Sequence, residues 1–361
     1  MATGAGRRWV PSRRALIIVT LVLAVVAGGG YLTKPLWQPW WYAETLCGDH
    51  VSGDDLAELL PRKRLQAGED TFGSGHGRLV CAVNEDEGHF VLRMEAQTDP
   101  SDVRTALGME FTIPTTPRYV FPQEVPGFYG KFGPVIIQKC PGPGHDSRGH
   151  KRLLITRVVS HGVEDDATPA SLRIAVSVAN GADSELGCGA DPLPLPERVV
   201  EPRTMPLKQA AGTMCGWLTR APLPKSPSGA GWRVAAPTHN GAPITNCSLI
   251  DPETGDSALD LTGWYGGWTD TPFETLLGAN VVIPKGHDSR DALMSEDFGR
   301  AKARCGGESA NFLAYGDGTD RKALSATQMR TLLNAFATDQ TRRRGCTGLD
   351  VPDSTVHPKR G

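Results

Sequence analysis

Eight cysteines carry the clearest chemistry in this 361-residue chain, and their spacing is ordered. Cys47, Cys81, Cys140 and Cys188 are separated by 34, 59 and 48 positions, and Cys215, Cys247, Cys305 and Cys346 by 32, 58 and 41. Matching members of the two sets are offset by 168, 166, 165 and 158, a drift that small deletions in surface loops produce. Even-numbered thiols downstream of an apolar N-terminal run predict disulfides rather than free nucleophiles. Three within-set pairings are open if both sets pair alike; first with second and third with fourth, as in Cys47 to Cys81 and Cys140 to Cys188, closes the shortest loops. A bridge closing 34 to 48 residues adds about 4 kcal/mol on the loop-entropy model. No Cys-x-x-Cys occurs, which argues against thioredoxin-type redox work. Cys47 with His50 and His145 with His150 have ligand-type side chains, but the second set repeats neither pair, so no metal or cofactor site is expected.

One serine stands in a suggestive context. Gly255-Asp256-Ser257-Ala258-Leu259 resembles the opening motif of the Gly-Asp-Ser-Leu lipase and esterase family, which implies Ser257 as nucleophile and an Asp-x-x-His pair near the C-terminus to activate it. The nearest match here, Asp353 and His357, is one residue too widely spaced, and only about 100 residues follow Ser257, too few for that family's doubly wound domain. A polar turn between two strands is the preferred reading, with a serine-type surface hydrolase as the alternative. The pentapeptide Gly-His-Asp-Ser-Arg occurs at Gly144 to Arg148 and again at Gly286 to Arg290, four residues after one third cysteine and nineteen before the other. Unequal placement favours local turn chemistry, with Asp288 as N-cap to the run Arg290 to Arg304. Trp264, Tyr265 and Trp268 are expected as core aromatics of a strand rather than a sugar-stacking platform. The basic run Arg342 to Arg344 precedes Gly345, where cations stabilise a helix C-terminus.

Several elements must position these residues. Leu172, Ala175, Val176 and Ala179 share the i, i+3, i+4, i+7 spacing of Met329, Leu332, Leu333 and Phe336, which predicts a helix running toward the fourth cysteine of each set. Thr168 before Pro169, and Ser325 with Gln328, are their N-terminal signals. A further helix is predicted over Asp54 to Leu60, with a Ser52/Asp55 capping box and Pro61 as its stop. Strands are predicted at Leu79 to Val83, His89 to Glu95, Val135 to Lys139, Leu153 to Val159, Ile244 to Ile250 and Ala258 to Trp264. The expected fold is α+β, two tandem duplicated four-cysteine domains built on mostly antiparallel sheet with flanking helices; an all-β sandwich ranks second.

The N-terminus sets the expected compartment. Arg7, Arg8, Arg13 and Arg14 precede an uncharged stretch, 15–32, whose eighteen residues reach about 27 Å as a helix against a hydrocarbon core near 30 Å. Positive charge before the stretch keeps residues 1–14 cytoplasmic. Trp37, Trp40, Trp41 and Tyr42 then form an aromatic belt that favours a retained signal-anchor helix over a signal peptide cleaved before Gly28. The rest of the chain is divided into a first extracytoplasmic unit at 35–190, a Pro-rich linker at 191–206, a second unit at 207–348 and a loose tail at 349–361. A formal net charge of −2 offers no field for nucleic acid.

Cys47, the helix after it and Cys81 within a strand resemble the opening of small cell-envelope domains of unknown function in actinobacterial secreted proteins and lipoproteins. The Phe336-Ala337 to Gly345-Cys346 ending is similar to that of uncharacterised membrane-anchored proteins of the same bacteria. That resemblance implies location and architecture, and carries no catalytic residues. The combined expectation is a single-pass membrane protein whose outer domains bind an envelope component or a protein partner, with no enzymatic centre.

Overall fold

In the computed structural model, which describes residues 13–72, 77–85, 88–111, 121–122, 124–129, 132–145, 152–161, 169–197, 204–226, 228–236, 242, 244–316 and 324–360, the apolar N-terminal run opens a helix, α1 (Arg13–Thr45), that continues well beyond it. Pro35 and Pro39 lie inside α1. A proline lacks the amide that the preceding turn needs and its ring crowds the carbonyl four residues back, so the helix bends here instead of ending. The halves Leu16–Leu32 and Lys34–Thr45 meet at 82°. Among the described residues no single helix is long and apolar enough to cross a membrane, although these two halves pass that test together. The expected span at 15–32 matches the first half to within a residue, which does not pass that test alone, and the expected unit boundary at residue 35 falls inside a helix.

Domain one follows. Ser52 Oγ caps α2 (Gly53–Leu59) by accepting from Asp54 N at 3.2 Å. Asp55, expected to complete a capping box, instead binds Arg173 Nε at 2.6 Å, because the later helix lies within reach. Strands β1 (Leu65–Asp70), β2 (Arg78–Glu85) and β3 (Phe90–Gln97) lead into α3 (Pro100–Phe111), then β4 (Gly127–Tyr129), β5 (Pro134–Lys139), β6 (Leu153–Ser160) and α4 (Pro169–Glu185). Their six-stranded sheet runs β1-β2-β3-β6-β5-β4 with antiparallel pairing. Alternation decides the faces: Leu79, Cys81 and Val83 of β2 join α2 and α4 in the first core. Within α4, Gly181 admits a close approach, since a Cβ there would lie 2.3 Å from the His50 ring.

Domain two contains β7 (Thr204–Pro206), β8 (Arg233–Ala235), β9 (Ile244–Ile250), β10 (Ser257–Tyr265), α5 (Asp270–Asn280), β11 (Phe298–Cys305), β12 (Glu308–Gly316), α6 (Ala326–Arg344) and β13 (Thr347–Asp350). The seven-stranded sheet runs β13-β11-β12-β10-β9-β8-β7, also antiparallel. The capping box at α6 forms as expected, with Gln328 N on Ser325 Oγ at 3.3 Å and Ser325 N on Gln328 Oε1 at 2.8 Å. Gly345, at φ 63°, ends the helix. Met329, Leu332, Leu333 and Phe336 face the second core.

Two expectations are corrected here. The run Arg290 to Arg304 is not a helix capped by Asp288, because its last part is the inner strand β11, hairpinned to β12 through Gly306 and Gly307 at φ 59° and 83°. Two positive-φ glycines favour a type I′ turn, which fixes the strand register. Nor is the tail loose: β13 joins the sheet, Val282 N donates to Pro358 O at 2.9 Å, and Lys359 Nζ meets Asp297 Oδ2 at 2.5 Å.

A third apolar cluster belongs to both domains. Val103 and Ala106 of α3 with Val135, Ile137 and Ile155 of the first sheet meet Ile244, Trp264 and Leu313 of the second and Phe273, Leu276 and Leu277 of α5. The inner faces of both sheets thus share a layer in which α3 packs on α5. Phe128 and Trp264 stack across it with centroids 5.1 Å apart. Each chain half needs the other to bury its inner face.

Candidate functional site

Four disulfides join Cys47 to Cys81, Cys140 to Cys188, Cys215 to Cys247 and Cys305 to Cys346, with Cα separations of 5.5, 4.3, 5.7 and 4.1 Å. This is the shortest-loop connectivity, and no cysteine is left free. Each bridge ties the backbone around a helix to a strand or strand end. Cys47 lies between α1 and α2 and reaches β2; Cys188 follows α4 and reaches the residue after β5. Their chemical role is mechanical.

Ser257 opens β10 opposite Ile250. Its hydroxyl is buried and has no hydrogen-bond partner among the described residues. His357 is engaged elsewhere: its amide donates to Met294 O at 2.8 Å and its ring stands 6.1 Å from that of His287. Asp353 Oδ1 accepts from Thr355 N at 2.7 Å. These contacts do not assemble the serine–histidine–aspartate relay that acyl transfer needs.

The second Gly-His-Asp-Ser-Arg copy forms a turn closed on itself: His287 Nδ1 and Asp288 N both meet Asp291 Oδ2, at 3.0 and 3.1 Å, and Arg290 binds Asp288 at 2.9 Å. In the first copy Asp146 to Arg148 lie outside the described residues, as do His150 and Thr168. Cys47 is consumed by its disulfide, and His50 Nε2 lies 4.0 Å from Glu185 Oε1. No group of three His, Cys, Asp or Glu able to hold a metal occurs among the described residues. Trp264 and Tyr265 are buried on opposite faces of β10, one in the shared layer and one in the second core, so they make no platform.

Two buried polar networks stiffen the second domain. Tyr265 Oη lies 3.0 Å from both Thr245 Oγ1 and Gln340 Oε1, and Arg344 covers its ring at 3.4 Å. Burial pushes the Tyr265 hydroxyl up to about 12 and pulls Arg344 down. Arg344 therefore acts as a ring cover that donates to Ala242 O, while Arg342 and Arg343 bind Asp339 at 2.9 and 2.5 Å. On β11, Arg300 is only 2% exposed and donates to Asn311 Oδ1 and Ser289 O. Its guanidinium is drawn down to about 10 by burial, against the opposing pull of Asp270 and Glu274.

A concave feature lies where the two sheets' units meet. A cleft of about 470 Å³ is lined from the first domain by Ile137, Gln138 and Lys139 of β5, by Pro126 and Pro141, and by the segment Gly189 to Leu193, and from the second by Tyr265, Gly266 and Glu308. Lys139 Nζ and Glu308 Oε1 pair across it at 2.7 Å, both half-exposed. Among the described residues, β4 stops short of the C-terminal end of β5 at this point. Cys140 N donates to Arg152 O on the β6 side, while Ile137 N donates to Pro126 O on the β4 side. Alternation then turns the N–H and C=O of Lys139 to the β4 side, beyond the last pair of β4, Gly127 with Ile136. The opposite wall is held by Asn180 of α4, whose side-chain amide accepts from Leu193 N at 2.8 Å and donates to Leu193 O at 2.9 Å. Ala190 N is held by Asp183 Oδ1 at 3.0 Å. The start of the proline-rich linker is thereby strapped to a helix.

Of these cleft residues the sequence singles out Tyr265 alone, because the others come from positions 126 to 308 and meet only once both domains are folded. Comparison with protein-family models, curated proteins and solved structures finds no match to this chain.

Proposed function

We propose that this is a membrane-anchored, extracytoplasmic binding protein whose interdomain cleft takes an extended segment of a protein partner. The cleft at the C-terminal end of β5 carries the reading. An unpaired strand edge offers backbone hydrogen bonds to an incoming chain, and a cavity beside it accommodates alternate side chains. The half-exposed Lys139–Glu308 pair supplies one charge of each sign at its mouth.

Location is supported by two observations. All eight cysteines are in disulfides, which belong to oxidising compartments. The first half of α1 presents apolar side chains all round, from Leu16 at 53% exposure to Val25 at 73% and Leu32 at 71%, and such a surface is stable in hydrocarbon rather than water. The body looks twofold copied. Strand order β1-β2-β3-β6-β5 parallels β8-β9-β10-β12-β11, α3 and α5 follow matching strands, and α4 and α6 precede the last cysteine of each set. These correspondences support duplication.

The test places a photo-crosslinking residue at Ala190 in the cleft wall and, as control, at Glu253 in the distant β9–β10 turn. A discrete protein adduct from Ala190 alone is expected; equal labelling from both positions would refute the cleft. A fluorophosphonate probe separates the hydrolase alternative. With the Ser257 hydroxyl unpartnered, no labelling is expected, and labelling that disappears in Ser257→Ala would displace the binding reading.

A further inference from the structure

The second half of α1 has two very different faces. Gln38 and Tyr42 are buried at 0% and 1%, and the Gln38 amide donates to Lys63 O at 2.6 Å and accepts from Leu65 N at 3.1 Å. Lys34 Nζ adds a bond to Leu65 O at 2.7 Å. This half is therefore part of the first domain. Its outer face carries Leu36, Trp37, Trp40 and Trp41, which are 63%, 41%, 48% and 44% exposed. Three indoles on one solvent face of a packed helix are unfavourable in water and suited to a headgroup layer, and two of their N–H groups are bonded within the protein, Trp37 Nε1 to Gly30 O and Trp40 Nε1 to Asp54 Oδ1, both at 3.1 Å.

The geometry at the bend extends the argument. Trp37 Nε1 donates to Gly30 O across it at 3.1 Å, and the 82° angle lays Lys34–Thr45 nearly parallel to a bilayer whose normal follows Leu16–Leu32. At the same level runs a basic triplet, Arg62-Lys63-Arg64, with Arg64 above the Tyr31 ring at 3.9 Å. Lys63 is engaged by Glu85, whereas Arg62 is exposed. Basic side chains beside an apolar face match anionic headgroups electrostatically.

We propose that the Lys34–Thr45 half of α1, with Trp37, Trp40 and Trp41 inserted and Arg62 and Arg64 on lipid phosphates, seats the first domain directly on an anionic bilayer surface. The proposal rests on the membrane-anchored reading and adds to it a fixed orientation: the ectodomain lies against the membrane instead of hanging from a tether.

The experiment uses the full chain, carrying Trp9→Phe, reconstituted in phosphatidylcholine vesicles with and without phosphatidylglycerol. Phospholipids brominated near the headgroup quench shallow indoles. Quenching should be largely lost when Trp37, Trp40 and Trp41 are replaced by Phe, which keeps the face apolar, while flotation with the vesicles persists. Arg62→Ser with Arg64→Ser should abolish the increase in quenching that phosphatidylglycerol produces. Flotation with quenching unchanged by the triple replacement would overturn the seat and leave the anchor standing. Failure of the parent protein to float would defeat the anchor reading and the seat with it. Quenching that ignores phosphatidylglycerol would remove the headgroup-phosphate contact.

Discussion

Replacing Ile155 by Ala tests whether the two domains are one folding unit. Ile155 lies on β6 of the first sheet, is 0% exposed, and projects into the apolar layer built mainly by the second domain. The change deletes three carbons, worth about 2.4 kcal/mol at ~0.8 kcal/mol per buried methylene. An unrelaxed void of roughly 80 Å³ adds up to about 2 kcal/mol at ~24 cal/mol per Å³, giving about 2 to 4 kcal/mol in all. If the layer is shared, that loss must be felt by residues on the far side. Native-state hydrogen exchange offers the readout, with amides of α6 and β11 reporting the second domain and those of α4 and β2 the first. Protection in both groups should fall by a similar free energy, and chemical denaturation should stay a single transition. Loss confined to α4 and β2, with α6 and β11 unchanged, would refute a common core and reduce the interface to contact between independent bodies.

Other outcomes follow from the same structure. Replacing Cys140 and Cys188 together by Ser opens a 48-residue loop and should lower stability by about 4 kcal/mol in urea titrations. The same variant should weaken crosslinking from Ala190, because the bridge holds the wall that includes Gly189 and Ala190. For Tyr265, burial raises the folded hydroxyl to about 12 while the unfolded one titrates near 10. Its contribution is present below about pH 10 and is lost as pH rises toward about 12, a change of about 2 to 3 kcal/mol. Stability of Tyr265→Phe between those pH values should show a correspondingly flatter decline; an unchanged slope would mean the hydroxyl is not buried in solution.

Much of the architecture was legible because its signals are local. The spacing of Met329, Leu332, Leu333 and Phe336, the Ser325/Gln328 pair and Gly345 specify α6 without help from the rest of the chain. Ile244 to Ile250 is a strand at its expected limits. Other features failed for identifiable reasons. In β11 the alternating Arg300, Lys302 and Arg304 obscure the strand, since a buried arginine reads as surface until Asn311 and Ser289 are brought beside it. Pro35 read as a boundary, yet a proline bends a helix when the next turn packs on a domain, as Gln38 and Tyr42 do. The Arg62-Lys63-Arg64 triplet is plain in the sequence, but nothing local links it to Tyr31. The cleft is a product of tertiary structure alone.

The Asn180 strap on Leu193 bears on how the chain behaves at high concentration. Two bodies joined by a slack connector can trade halves with a neighbouring copy. A connector whose first residues are pinned to α4 raises the effective concentration of the correct half over any neighbouring copy. The strap therefore favours pairing of the two halves within one molecule and restrains the wall of the opening between them.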